Sequence, residues 1–438
     1  MFLTSYIRDT GQKWPGAKYL LATITGVLVT LLATTACIRS SAPITPSPKP
    51  VDVENFRVLL SDSRPHSTAN IRVVDLAGDN STQVLVSEVL RGEVTWVRSK
   101  NDTVVLAQGL GQPVRTSVAD MDRDGDKDIL VSDIGSFFQT DDPVGRVLLL
   151  TNDGSNRFEQ QVLLEGIGRV TCAENGDLDG DGDLDIVVCV FGHTNGKVIW
   201  LEQKPGLVFE EHLLDPRPGA IHAFPFDADG DGDLDIAVAL SQLSEEVLLF
   251  RNNGNRQFTK EVLFKAPFDY YGLSGIELAD LDRDGDTDIL FTNGDTFEAY
   301  EIPSSIDPNE LHGIAWLENT EDQFIQHEIQ RIWGPYSVRT YDFDGDSDLD
   351  LLVSTFQVSD FFPNSRIRGL VWLENDGQQA FIPHTVDVDM PARTVSIEVA
   401  DMDGDGTPEV ITGTLDHEGG SSGHRLVIFN LLMEAISR

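Results

Sequence analysis

Five carboxylates stand at alternate positions, Asp177, Asp179, Asp181, Asp183 and Asp185, in the stretch NGDLDGDGDLDIVV at 175–188. Two unit charges about 4 Å apart repel by roughly 1 kcal/mol in water and about 4 kcal/mol near a protein surface. So crowded a segment folds only if something takes up the charge. In the pattern D-x-D-x-D-G-x-x-D, the first, third and fifth residues supply carboxylates as the chain curls. A glycine at the sixth allows a sharp turn, and the carbonyl of the seventh and the acid of the ninth close an oxygen cage. Ca2+ takes about 6–8 oxygens at about 2.3–2.6 Å, whereas Mg2+ keeps its waters and seldom fills an all-protein cage. The expected cofactor is Ca2+, with repulsion converted to ligation.

The pattern recurs along the chain. One set is Asp120, Asp122, Asp124, Asp126 and Asp128; another is Asp227, Asp229, Asp231, Asp233 and Asp235. Next come Asp280, Asp282, Asp284, Asp286 and Asp288, then Asp342, Asp344, Asp346, Asp348 and Asp350, with Ser347 at the sixth position. A shorter copy has Asp401, Asp403, Asp405 and Glu409, and a worn one begins at Asp75 with Ala77, Asn80 and Gln83 in place of acids or glycine. About five or six bound ions are expected, the worn copy binding none.

The acidic starts are spaced by 45 to 62 residues, enough for four short strands each. No EF-hand glutamate or flanking helix follows the loop; Ile129, Ile186, Ile236, Ile289 and Leu351 instead begin an apolar run at once. A WLEN-like strand comes next (VIWLEQ at 198, IAWLEN at 314, VWLEN at 371), then strands such as FEEHLL at 209 and FIQHEI at 324. Repeated four-stranded sheets that cannot bury both faces alone indicate a β-propeller. The expected fold is all-β, a seven-bladed propeller of four-stranded blades, its ring closed by the N-terminal strand FRVLL at 56 completing the last blade, with no helix in the body.

These loops and strands resemble the FG-GAP/VCBS repeats of extracellular bacterial proteins and of the integrin α-chain propeller, over residues from about 52 to 438. The resemblance implies a seven-bladed propeller with calcium in the loops between first and second strands. It implies no single function, since such propellers serve both as binding modules and as scaffolds of some carbohydrate-active enzymes.

In a propeller the metal loops occupy one face, and the long links between blades converge on the other. Here those links are aromatic: Phe137 and Phe138, Tyr270 and Tyr271, Trp333 and Tyr336, Phe361 and Phe362. Aromatic platforms beside acids such as Asp141 and Asp295 suit sugars; the alternative is that the loops bury their own aromatics. Inner strands carry Arg72, Glu174, Glu277, Arg339 and Glu398 three residues before an acidic loop, with Arg115 and His222 two residues further back. Such a ring reads as ion pairs around a channel or as the mouth that holds a ligand. His222 and Arg339 join the aromatics as candidate ligand-binding residues. His212, His327 and His384 recur at one strand position and read as structural.

The first residues differ in kind. Arg8, Lys13 and Lys18 precede the uncharged run Tyr19 to Ala36, and Cys37 follows. ATTAC resembles a bacterial lipobox with Cys37 the acylated residue; an uncleaved anchor and plain secretion are the alternatives. The division is a signal or anchor at 1–37, a Pro/Ser-rich tether at 38–51 and the propeller at 52–438. All three readings place the body outside the cytoplasm, in the cell envelope, with the outer membrane favoured because Ile38 follows Cys37. Cys172 and Cys189 form either one bridge or two buried thiols. With 72 acids against 32 bases, a net charge of −40, the surface argues against nucleic acid, and a membrane contact is expected only through the N-terminus. The expected function is a monomeric, calcium-binding module for a glycan or an extracellular protein. The alternative is a polysaccharide lyase or sugar dehydratase on the same scaffold, and no motif selects catalytic residues.

Overall fold

The computed structural model describes residues 50–61, 66–254, 256–295, 308–320, 323–356, 369–388, 393–415 and 424–431. Met1–Pro46 separates as a unit of its own and lies outside the described residues, with Cys37; the described strands belong to the unit Ser47–Arg438. Among the described residues no helix is long and apolar enough to cross a membrane, and the one helix is the single turn Pro308–Leu311.

Each repeat becomes an antiparallel run of short strands for reasons visible in its residues. The run after the acidic loop, Asp185–Val190 for example, is buried at every position and so lies inside its sheet. The fourth strand of that sheet, Val208–Asp215, is exposed or half-buried up to its last residue, as an outer strand should be. The core sits between neighbouring sheets: Leu130, Val147 and Leu149 of one pack on Ile186, Val188 and Ile199 of the next. The first strands Thr68–Val74, Pro113–Ala119, Val170–Gly176, Ala220–Phe226, Leu273–Ala279, Pro335–Tyr341 and Ile397–Ala400 lie side by side in that order, and the last touches the first. Cys172 and Cys189 face each other on adjacent strands, Cα atoms 5.0 Å apart, and are disulfide-bonded.

The expectation of seven separate four-stranded blades is corrected by the strand pairing. The propeller has five four-stranded sheets and one eight-stranded sheet. The N-terminal strand Pro50–Ser61 causes the difference, because its twelve residues serve two neighbours. From Val53 onward it runs antiparallel to His424–Leu431, while Pro50, Val51 and Asp52 run parallel to Thr385, Val386 and Asp387. The ladder therefore continues from one group of strands into the next, and the N-terminal strand bridges them instead of completing a separate last blade.

The polar end of the WLEN-like strand has a role that its sequence does not announce. Gln203, Asn252 and Asn319 each send a side-chain amide to a carbonyl in the acidic loop of the preceding sheet: Met121 at 3.1 Å, Leu178 at 2.9 Å and Ala228 at 2.8 Å. These bonds are buried and join sheets at the loop face. Asn252→Ala leaves the Leu178 carbonyl without that donor, which costs about 1–3 kcal/mol. A denaturant titration should show a lower midpoint at unchanged slope; an unchanged midpoint would mean that the amide does not join the sheets.

Candidate functional site

The acidic loops are built on backbone N–H groups. In the loop at 177 the first aspartate turns both oxygens onto main-chain donors: Asp177 Oδ1 accepts from Gly180 N at 2.8 Å and Oδ2 from Gly182 N at 3.0 Å. The same pair of bonds recurs at Asp227, Asp342 and Asp401. The worn copy keeps the turn, Asp75 accepting from Asp79 and Asn80. The sixth residue is left-handed throughout, including Ser347 at φ 85°, where a side chain is strained and glycine is not.

The ninth acid has another task. Asp128, Asp185, Asp235, Asp288 and Asp350 are fully buried. In each, Oδ2 accepts from the N–H of the loop's second residue and Oδ1 from the N–H ending the third strand. For Asp185 the donors are Leu178 at 3.1 Å and Gln203 at 2.8 Å. Burial pushes Asp128, Asp185, Asp235 and Asp288 up to about 6 and Asp350 to about 7, outweighing the two N–H donors each accepts.

The donor set fits a hard cation. Oxygens of Asp120, Asp122 and Asp128 lie within 4.8 Å of one another, as do those of Asp177, Asp179 and Asp185, of Asp227, Asp229 and Asp231, and of Asp280, Asp282 and Asp288. Ligands at about 2.3–2.6 Å from one Ca2+ are at most about 5 Å apart, so each set spans one coordination sphere. Asp280 Oδ1 is buried without a hydrogen-bond partner, an acceptor that a cation would satisfy. At the loop at 177, Arg256 of the next sheet stands 2.8 Å from both Asp179 and Glu202 and competes for that position. Glu202, Glu318 and Glu374, from the Trp-x-Glu of three WLEN-like strands, were not read as site residues. Each meets a histidine, His212, His327 or His384, at 2.8, 2.6 and 2.7 Å, and each histidine packs against the strand's tryptophan.

At the opposite end of the first strands lies a cavity of about 550 Å3. It gathers Phe137, Phe138, His222, Tyr336 and Arg339 from the sequence reading, together with Asn70, Arg115, Arg169, Phe191 and Gln242. Tyr270, Tyr271 and Trp333 do not line it. Tyr270 stacks on Phe268 at 4.5 Å, Tyr271 packs on Phe264, and Trp333 is buried against His312 at 4.5 Å. Phe361 and Phe362 lie outside the described residues. Asp141 is a clip between links, accepting from the Thr194 hydroxyl and from the N–H groups of His193, Thr194 and Asn195; the Thr194 bonds hold it down at about 2. The missed residues Asn70, Gly275, Ser337 and Ser396 had a signal: like Arg115 and His222, they stand five residues before an acidic loop.

Two residues deeper lies a layer of ion pairs. Arg339 joins Glu277 at 2.9 Å and Glu398 at 3.1 Å; Glu174 joins Arg115 at 2.7 Å and Arg72 at 3.4 Å. Burial opposes the charge of Arg339, yet its two glutamates outweigh that and raise its pKa. Burial lowers that of Arg115, Glu174 offsets only part of it, and Arg72 and Arg339 lower it further.

Comparison with family models finds an FG-GAP-like repeat at residues 177–238 and again, overlapping, at 227–291. No curated protein sequence matches the chain. Among solved structures it is similar to BBS1N in complex with ARL6DN, soaked with mercury, at 11% identity over 87% of this chain and 98% of that one, TM-score 0.52. The lead-soaked form of that complex aligns at 11% identity over 88% and 99%, TM-score 0.49. At such identity the first likeness speaks for the fold alone.

The buried ninth acids make the metal-free protein pH-sensitive. Their folded pKa lies above the unfolded value of about 3.9, so their stabilising protonated form is present below about 4 and is lost as pH rises through about 6 to 7. Thermal melts of metal-free protein should fall in midpoint between pH 5 and pH 7.5, and Asp235→Asn should flatten that fall. A midpoint that rises over this range would contradict the assignment.

Proposed function

We propose that the chain is a calcium-stabilised β-propeller, displayed outside the cytoplasm, that binds a glycan or a protein partner at the cavity opposite its acidic loops. The observation that carries this reading is the division of labour between the two ends of the first strands. One end holds converging carboxylate oxygens; the other opens into a cavity walled by Phe137, Phe138, Phe191 and Tyr336 with polar groups among them. A cavity of about 300–1,000 Å3 with a few placed polar groups is of the size that takes a small ligand or one protruding residue. The Cys172–Cys189 bridge supports an oxidising compartment, where calcium is also plentiful. The uncharged run before Cys37 supplies the means of export and of lipid attachment or anchoring, with the outer membrane as the proposed site.

The enzyme alternative finds less support in the cavity. His222 Nδ1 accepts from Ile276 N–H at 3.3 Å, so the proton of the neutral ring sits on Nε2, which makes it a donor and not a base.

When bound, Ca2+ would supply positive charge to the first, third, fifth and ninth acids and tie each loop to its strand. Melting the full chain in excess chelator and then in millimolar calcium, with a metal count by mass spectrometry, tests this. Each site held at about 100 times its Kd adds roughly 2.7 kcal/mol, so a large rise with about five or six ions is expected. Asp181→Asn should lower the count by one and leave most of the rise. No rise and no bound metal would sink the calcium reading. Glycan arrays and pull-downs with Phe138→Ala, which removes the most exposed aromatic of the cavity, test the binding face; undiminished binding would move the site elsewhere.

A further inference from the structure

The cavity wall is chemically lopsided. In a chain with 72 acids and 32 bases, the charged residues lining the cavity among the described residues are Arg115, Arg169 and Arg339 against the single acid Asp295. The carboxylates that pair with Arg115 and Arg339 belong to the layer beneath and do not line it.

Three side chains in the outer layer have donors to spare. Arg115 gives Nε to Glu174 at 2.7 Å, and neither Nη1 nor Nη2 makes a hydrogen bond to the described residues. Glu174 is shared with Arg72 at 3.4 Å, so Arg115 holds only part of one carboxylate. His222 has its Nδ1 occupied by Ile276 N–H and presents Nε2–H with no partner among the described residues. Asn70 uses its Oδ1 to accept from Thr116 N at 3.2 Å and Thr116 Oγ1 at 3.3 Å, which leaves the amide NH2 as donor. All three stand at the same register on their first strands and line the cavity. Gly275, at that register on the next strand, keeps the space open: a Cβ there would lie 3.2 Å from His222 Cε1 and 3.0 Å from the Tyr336 carbonyl. Burial, with Arg115 and Arg339 adding to it, holds the His222 pKa well below 6.5, so the ring offers a neutral N–H.

A guanidinium fork with two free nitrogens, an imidazole N–H and an amide NH2 make a donor-only set, the complement of a carboxylate. Apolar wall stands beside it, from Phe137 and from Phe138 at the rim, which is 81% exposed. We propose that Arg115, His222 and Asn70 form a subsite for the carboxylate of a small organic acid whose ring lies on Phe137 and Phe138. This rests on the reading of the cavity as the binding site and narrows it to an anionic ligand.

The test is isothermal titration of the full chain in calcium with benzoate and D-glucuronate, each against its neutral counterpart, benzamide and D-glucose. At least one acid should bind, with its neutral counterpart about tenfold weaker or more, a difference of about 1.4 kcal/mol. Arg115→Gln should abolish the preference for the acid. His222→Phe keeps a ring and removes the donor; it should weaken the acid several-fold and leave the neutral counterpart unchanged, and it serves where Arg115→Gln fails to fold. Binding of neither acid at millimolar concentration, equal binding of acid and neutral probe, or a preference that survives both substitutions overturns the proposal. Glycan or partner binding that persists in Arg115→Gln would overturn the subsite alone and leave the binding-module reading standing.

Discussion

Backbone N–H groups turned toward carboxylates are the interaction on which the rest of this molecule depends. Each loop spends several main-chain donors on its own acids, and a carboxylate has about four lone-pair sites to receive them. The first acid folds the loop, and the ninth ties the loop to the far end of the third strand. A hydrogen bond to an ionised group contributes about 1.5–3 kcal/mol, comparable with the repulsion between neighbouring aspartates near a surface. The worn copy at Asp75 keeps the turn with fewer acids. A cation would use the oxygen lone pairs that the backbone leaves over.

That local device becomes a global one through the third strand. Gln203, Asn252 and Asn319 reach the second carbonyl of the preceding loop, the residue whose N–H is held by the ninth acid. Loop, strand end and neighbouring sheet therefore meet at one buried knot of polar groups at each of these three junctions. The apolar clusters between sheets supply most of the driving force, but they are non-directional. The knots fix how far one sheet slides on the next. A chain of net charge −40 repels itself, and concentrating much of that charge where main-chain donors point limits the cost.

The repeat was legible because its signals are local: alternation, acid spacing, glycine at the sixth position. The order of strands within each repeat followed from them. The number of sheets did not follow, because whether Pro50, Val51 and Asp52 pair with the strand at 385–387 depends on where the N-terminal strand lands after the ring forms, a contact across more than 300 residues. The site divided in the same way. His222, Tyr336 and Arg339 sit on first strands, whose position in the ring the repeat dictates, and they reached the cavity, as did Phe137 and Phe138 from one link. Tyr270, Tyr271 and Trp333 sit in links that pack on their own sheet, where local aromatic contacts decided against the mouth. Asn70 was missed because a lone polar residue carries no motif; only its register across the repeats gives it meaning.

The two layers of the channel explain why the mouth can be cationic in so acidic a chain. Buried arginines are tolerable only with partners, and removing one partner of such a pair costs about 3–5 kcal/mol. The partners here lie on one side. Glu174, Glu277 and Glu398 sit two residues deeper than the outer layer, so Arg115 is neutralised from below, while Arg339 pairs within the deeper layer itself. Arg339, held by two glutamates, is fully committed and serves as the fixed centre of the network. Arg115 shares its one glutamate with Arg72, and that shortfall falls on the residue that faces open space. An anion entering the cavity would supply the missing half of that pair while Glu174 keeps the guanidinium plane in place. The ion-pair layer is thus both the floor of the cavity and the device that orients its donors outward.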